Sequence, residues 1–425
     1  MKSTGLNKTG ELTSHFFRNE YGKLVAVITR YLGSEHVETA EDIVQDALLQ
    51  ATKHWDLHGI PDQPKAWLYT TARNLALNAL KRRKHQRAYT FHQTNGTFEV
   101  EQLPFSEELI EDSQLKMMFW CCHDSIPEHS RIALILKILS GFSISEIANA
   151  FFSNKETINK RLVRGRKQLR NVELDSPNEQ DLNHRLQTVL KTIYLLFNEG
   201  YLPAIKNQTI RFDLCLEAIR LAQLLSDSQL IPKKADIHAL LALMYFNVAR
   251  FKSRVSKTGE LMDLREQDRS KWDKELIQYG IQFLDRVVHG NTLSSYALMA
   301  TISANHCVAA SYDKTDWERI LSLYDELLLL EQSPIVQLNR CVVLAEVKGI
   351  PSAITKLKDL GTQTDIHRYY LYHFTLAEFY KRDQQWLASK LAYEEALKLS
   401  ENPRDREILK KKKQALVPNS SSQLS

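Results

Sequence analysis

The sequence predicts an all-α chain made of several helical domains. Three observations predict it. Glycine and proline are sparse, with 14 and 11 in 425 residues, so few points interrupt a helix. Runs that alternate apolar and polar residues, the mark of a half-buried strand, are rare. Short Gly/Pro breaks separate apolar-periodic stretches of ten to twenty residues through the second half, the rhythm of stacked helical hairpins. The length exceeds what one ordinary core fills, and about 150 residues per domain suggests two to four domains.

Three or four helical patterns lie between Leu12 and Lys84. Leu24, Val27, Ile28 and Tyr31 form one apolar face at helical spacing, and Ile43, Ala47, Leu48 and Ala51 form another. The loop Gly59-Ile60-Pro61-Asp62-Gln63-Pro64 follows, where two prolines forbid helix continuation. A third helix spans about Lys65 to Arg83. Glu41, Asp42, Gln45 and Asp46 project from the second helix opposite its apolar face, a row suited to a basic partner helix, or else a solvated face. The third helix carries Trp67, Tyr69, Arg73, Asn74 and Asn78 and ends in Lys81-Arg82-Arg83-Lys84. Aromatics, amides and a basic end suit a melted DNA strand, where bases stack and phosphates need cations. Trp67 and Leu68 also read as core. The polar stretch from Gln86 to Glu101 reads as a linker.

The sharpest pattern lies between Ile132 and Arg170. Leu134, Ile135, Ile138 and Leu139 define an amphipathic helix, and Gly141 permits a turn. Ser143 and Glu146 form a capping box that starts a short helix, and small Ala148 sits where two helices cross. Phe151 to Asn154 gives the next turn, and Lys155 to Arg170 is the third helix. This is a helix-turn-helix, whose second helix enters the major groove. That helix carries Lys155, Lys160, Arg161, Arg164, Arg166, Lys167 and Arg170 against the single acid Glu156, with Ile158 and Leu162 facing the core. Lys155, Glu156, Asn159 and Lys160 can reach base edges; Arg161, Arg164 and Lys167 suit phosphates. A lone basic helix is usually just solvated; the turn and helix before it favour DNA.

An acidic linker, Val172 to Asp181, precedes a long helical stretch from Leu182 to about Leu416. Its breaks fall at Gly200 to Pro203, Ile231-Pro232, His289 to Asn291, Ser333-Pro334, Gly349 to Pro351 and Asn402-Pro403. Leu376, Ala377, Tyr380, Ser389, Tyr393 and Ala396 show the small-and-large spacing of a tetratricopeptide hairpin, and Trp317–Leu330 with Ile335–Val347 resembles a degenerate earlier pair. The Ser-rich tail from Pro418 is expected to be disordered.

Charge and composition narrow the class. The net charge of +5 does not itself argue for nucleic acid; its distribution does. No apolar segment follows Met1, so a signal peptide is not expected, and no run approaches the ~20 apolar residues that span a bilayer. Five mostly isolated cysteines read as reduced thiols of a cytoplasmic protein. Cys121-Cys122-His123 is spaced poorly for zinc, because adjacent helical cysteines point about 100° apart; core packing is the better reading. No cofactor and no metal are expected. Phosphate loops, HExxH and nucleophile elbows are missing from the sequence, and Glu199, Glu275 and Glu378 read as solvated helix acids, so an enzyme is not expected.

The stretches AEDIVQDAL (Ala40 to Leu48), AWLYTTARNLALNALKRRK (Ala66 to Lys84) and RLVRGRKQLR (Arg161 to Arg170) resemble regions 2 and 4 of an extracytoplasmic-function RNA polymerase sigma factor. FWCCHDSIP, YLLFNEGY, LLALM, QDRSKWD, DWERILSLYD and SPIVQLNRCVVLAEVKG are similar to the subgroup with a large C-terminal tetratricopeptide-like domain. The loop Ile205 to Phe212 departs from that pattern. The resemblance implies region 2 over 12–86, a linker over 87–112, region 4 over 113–171 and a helical-repeat domain over 182–416. It implies that Asp42, Gln45 and Asp46 meet the β′ clamp helices of core polymerase. Arg73, Asn74, Asn78, Arg82 and Arg83 would face −10 DNA. Lys155, Glu156, Asn159, Lys160, Arg161 and Arg164 would face −35 DNA, with region 4 also touching the β flap. The repeat domain would regulate in cis and offer a concave surface to a protein or peptide. The competing reading is a helix-turn-helix regulator with a helical-repeat sensor, which leaves the N-terminal unit without a purpose. Binding to core polymerase discriminates the two.

Overall fold

The computed structural model describes residues 4–90, 105–151, 153–170, 172, 179–201, 208–254, 262–288, 294–400 and 403–416. No strand occurs among them. The chain divides into two compact units, residues 1–232 and 233–425.

The first unit holds α1 (Thr4–Leu32), α2 (Val37–His58), α3 (Pro64–Thr90), α4 (Glu107–Cys121), α5 (Glu128–Leu134), α6 (Ile144–Ala150), α7 (Lys155–Leu169), α8 (Glu179–Tyr201) and α9 (Gln208–Asp227). Helix α2 stops where Gly59 takes a positive φ of 83°, and Pro64 then opens α3 at a position where its missing N–H costs nothing. The expected apolar face of α1 is only part of its burial. Leu24, Val25, Ala26, Val27 and Ile28 are all fully buried, while Tyr31 is half-buried. The helix is covered all round because it packs on α2 and α3 and also on α4 and the π-helical turn Ile135–Leu139 that continues α5. A side chain at Gly22 would run into the backbone of Leu139, so glycine permits that crossing.

Both ends of the expected linker 87–112 are helical. Helix α3 runs on to Thr90 and α4 begins at Glu107; residues 91–104 lie outside the described residues. The acidic stretch 172–181 likewise ends early, because α8 starts at Glu179. Helices α8 and α9 pack on one another and on α4, α5 and α6. Division into compact units falls after Pro232, so α8 and α9 lie in the first unit. A charged linker marks where a helix stops; it does not say against which neighbours the next helix buries its apolar stripe. Here α8 buries Leu186, Val189, Leu190 and Ile193, and α9 buries Leu214, Ala218, Leu221 and Leu225.

The second unit runs from α10 (Ala235–Ala249) through α11 (Lys274–Val288), α12 (Ser295–Val308), α13 (Trp317–Leu330), α14 (Pro334–Lys348), α15 (Ile350–Gln363), α16 (Tyr370–Arg382) and α17 (Trp386–Leu399) to α18 (Pro403–Gln414). Successive helices pack on each other, as in stacked hairpins. The breaks at Ile231-Pro232, Ser333-Pro334 and Gly349 to Pro351 coincide with helix junctions, and α18 begins at Pro403; Asn402 lies outside the described residues. Those at 202–203 and 289–291, and the tail from Pro418, lie outside the described residues. The spacing at the end is realised: Ala377, Ser389, Tyr393 and Ala396 are fully buried, and the Ser389 hydroxyl donates to the Ala377 carbonyl at 2.8 Å. Glu378 is not a solvated acid. It accepts from the Tyr393 hydroxyl and pairs with Lys412 at 3.2 Å.

QDRSKWD (Gln267 to Asp273) is a structural knot of this unit. Arg269 donates to the carbonyls of His306 (2.7 Å) and Ala309 (2.6 Å) and stacks 4.7 Å over Trp272. The Trp272 ring nitrogen donates to Ser253 Oγ at 2.7 Å. Burial, aided by the charges of Arg250 and Arg269, pulls the His306 pKa down to about 3, so this imidazole is neutral.

Candidate nucleic-acid interface

The helix-turn-helix forms as its sequence predicts. Gly141 takes the turn with a φ of 66°. Glu146 N–H donates to Ser143 Oγ at 3.2 Å and Ser143 N–H donates to Glu146 Oε2 at 2.8 Å, a closed capping box. Asn154, which the sequence reading placed in a turn, is the N-cap of α7; its Oδ1 accepts from Thr157 N–H at 2.7 Å. Ile158, Leu162, Gly165 and Leu169 are the buried stripe of α7. Lys155, Glu156, Asn159, Lys160 and Arg164 are exposed on the other side and Arg161 is half-buried at its flank. Lys160 pairs with Glu156 at 2.7 Å.

One cation of the basic row turns away. Arg166 reaches α2, where it donates to the buried carboxylate of Glu41 and lies 3.7 Å from Glu38. Glu41, read from sequence as part of an outward acidic row, is only 3% exposed and also accepts from the Tyr21 hydroxyl at 3.2 Å. Burial pushes its carboxyl pKa up, and Arg166 pulls against that shift. Asp42, Gln45 and Asp46 remain exposed. The acidic row therefore splits, one member into the core and three into solvent. A helix turns about 100° per residue, so Glu41 need not share the face of Asp42 and Asp46.

Arg73, Asn74, Asn78 and Arg82 are exposed on α3; the Arg83 side chain is outside the described residues. Trp67 is half-buried, with ring centroids 5.1 Å from His54 and 5.9 Å from Trp55, while Leu68 is fully buried. Beside Arg73 lies a cavity of about 620 Å³ lined by Gln63, Lys65, Tyr69, Thr70, Phe105 and Glu107. Phe105 meets the Tyr69 ring edge-on at 5.8 Å, Lys65 pairs with Glu107, and the Tyr69 hydroxyl donates to Glu20 at 2.7 Å. This cavity was not legible in sequence, because residues 105 and 107 reach it only through the tertiary fold. Cys121 and Cys122 are buried in α4 and at its end, and burial raises both thiol pKa values, that of Cys122 to about 12. Among the described residues no cluster of His, Cys, Asp or Glu could hold a metal ion, and no helix is long and apolar enough to cross a membrane.

Two sequence families match these elements directly: Sigma-70 region 2 over residues 16–86 and Sigma-70, region 4 over residues 116–169. The chain is a sigma factor, with the two regions joined by a short segment. Its type is extracytoplasmic-function, as its relatives indicate. It is 27% identical over 153 residues to the ECF RNA polymerase sigma factor SigE of Mycolicibacterium smegmatis, covering 36% of this chain and 58% of that one. It is 27% identical over 158 residues to the ECF RNA polymerase sigma-E factor of Escherichia coli, covering 35% and 80%. An uncharacterized protein of Rhizobium meliloti is 29% identical over 384 residues, 89% of each chain, and so matches the extension too. Residues 185–288 match a family of unknown function, DUF6596. No solved structure matches.

Proposed function

We propose that this sigma factor acts in the cytoplasm through three exposed faces. Asp42, Gln45 and Asp46 dock on the β′ clamp helices of core polymerase. Arg73, Asn74, Asn78, Arg82 and Arg83 hold the −10 strand. Lys155, Glu156, Asn159, Lys160, Arg161 and Arg164 read −35 DNA, while region 4 meets the β flap. On this reading the sigma regions span 12–86 and 113–171, and the helices from 182 to 416 regulate them in cis and engage a protein or peptide. The observation that carries the reading is the division of charge. Among the proposed contacts, the exposed acids Asp42 and Asp46 lie on α2, the exposed cations and amides Arg73, Asn74, Asn78 and Arg82 lie on α3, and Lys155, Asn159, Lys160 and Arg164 lie on α7, where Glu156 is the one acid of the set. These are the signs that a basic helix and a nucleic acid respectively need. The cavity beside Arg73 supports the −10 assignment, because it sets the half-buried ring of Phe105 near the exposed Arg73, an aromatic and a cation of the kind an unstacked base and its phosphate need.

The test is initiation by the purified protein with core polymerase. Asp46→Arg is expected to weaken co-purification with core. Asn159→Ala or Lys160→Ala should alter −35 preference, with about 1–3 kcal/mol lost for a base-edge contact. A protein that never co-purifies with core polymerase would sink the assignment of the docking face.

A further inference from the structure

We propose that the hairpin α8–α9, the start of the segment of unknown function, is a clasp that holds regions 2 and 4 closed through Arg18. The inference rests on the sigma-factor reading. Elements named −35 and −10 are centred about 25 base pairs apart, or about 85 Å along straight DNA. A compact unit of about 230 residues is only about 45 Å across. In the first unit regions 2 and 4 are packed together, with α1 of region 2 lying on α4 and the π-helical turn of region 4. One molecule in this arrangement cannot read both elements, so the two regions must separate on the promoter.

Arg18 sits where three parts of the chain meet. Its guanidinium lies 4.7 Å over the Phe142 ring. One nitrogen donates to Glu146 of region 4 at 2.6 Å and another to Asp213 of α9 at 3.2 Å. Glu146 can release Arg18 without loss of the helix-turn-helix, because its other oxygen holds the capping box. The hairpin is fastened to region 4 by separate contacts. Glu217 of α9 accepts from Ser140 at 2.7 Å, Thr188 of α8 donates to Asp124 at 3.0 Å, and Lys191 pairs with Glu128 at 2.8 Å. So α9 rides on region 4 and reaches across to region 2 at Asp213. Arg30–Asp112 and Arg166–Glu41 span the same junction. The half-exposed pairs, Arg18–Asp213 and Arg30–Asp112, bias an equilibrium rather than lock it, each by about two- to fivefold; Arg166–Glu41 is the buried one. A closed resting state lowers apparent affinity for any partner that needs the open one.

The test uses the full chain, with dyes on cysteines introduced at exposed Leu57 of α2 and Gln168 of α7 (L57C and Q168C); the five native cysteines are buried. The unaltered protein is expected to show high energy transfer that falls when core polymerase is added. Asp213→Arg, which sets a cation against Arg18, should shift the free protein toward low transfer, with Asp213→Asn shifting it less. Circular dichroism checks that each variant folds, and Asp213→Asn carries the test if Asp213→Arg does not. Transfer unchanged by loss of the Asp213 charge overturns the clasp, even if the protein initiates transcription. Failure of the unaltered protein to initiate would instead strike the sigma-factor reading, and the transfer measurement would still report on the clasp.

Discussion

Arg166 and Lys167 are adjacent cations on one helix with different environments. Arg166 is directed inward to Glu41 and Glu38, while Lys167 is exposed. Removing Arg166 leaves Glu41 buried without its cation, and breaking a buried pair in this way costs about 3–5 kcal/mol. Arg166→Ala is therefore expected to lower the urea midpoint of the first unit strongly, while its effect on DNA affinity is the smaller one. Lys167→Ala should leave the midpoint unchanged, weaken binding to all sequences alike and reduce the salt slope by about one ion. Urea titration and fluorescence anisotropy at two salt concentrations separate the two. Equal losses of DNA affinity with no loss of stability would overturn the assignment of Arg166 to the interior.

At the scale of elements, α1 is the strut of the first unit. It buries five consecutive residues, Leu24 to Ile28, because helices of both sigma regions pack on it. Gly22 sets how closely α1 can approach the end of the π-helical turn, since an added Cβ meets the Leu139 carbonyl oxygen and α-carbon. Backbone on a buried crossing cannot step aside cheaply. Gly22→Ala gains up to about 1 kcal/mol of helix propensity but forces the crossing apart, and overpacking of this kind costs about 1–3 kcal/mol. The expected result is a net loss of stability, together with weaker protection from hydrogen exchange in α1 and around Leu139. A variant more stable than the parent would show that the crossing is not tight.

At the scale of the whole molecule, the helices beyond the acidic linker are divided between the two compact units. Helices α8 and α9 belong with the sigma regions, and the second unit begins after Pro232. The two helices pack on each other and on α4, α5 and α6, and Arg185 lies 5.9 Å over the Phe119 ring of α4. Truncation after Pro232 is expected to leave a soluble, cooperatively folding protein. Truncation after Glu179 strips the cover from region 4 and exposes its apolar surface, which favours aggregation. Size-exclusion chromatography and thermal unfolding of the two truncations check this. A well-folded product ending at Glu179 would show that the hairpin is dispensable to the core beneath it.

The sequence by itself determined the all-helical class, the helix-turn-helix and, apart from Glu41 and Arg166, the exposed faces. Helical periodicity, capping and glycine turns act over a few residues, so Ser143, Glu146, Gly141, Ile158 and Leu162 could be read in place. Asp42, Gln45, Asp46, Asn74, Asn78 and Asn159 were legible for the same reason, each lying opposite a buried stripe of its own helix. Only the tertiary structure decided the fate of Glu41 and Arg166, 125 residues apart, the cavity that joins Tyr69 to Phe105, and the junction of Arg18 with Glu146 and Asp213. Local pattern tells which side of a helix is apolar; it does not tell which distant helix covers it, because that choice is made by packing and charge pairing over the whole chain.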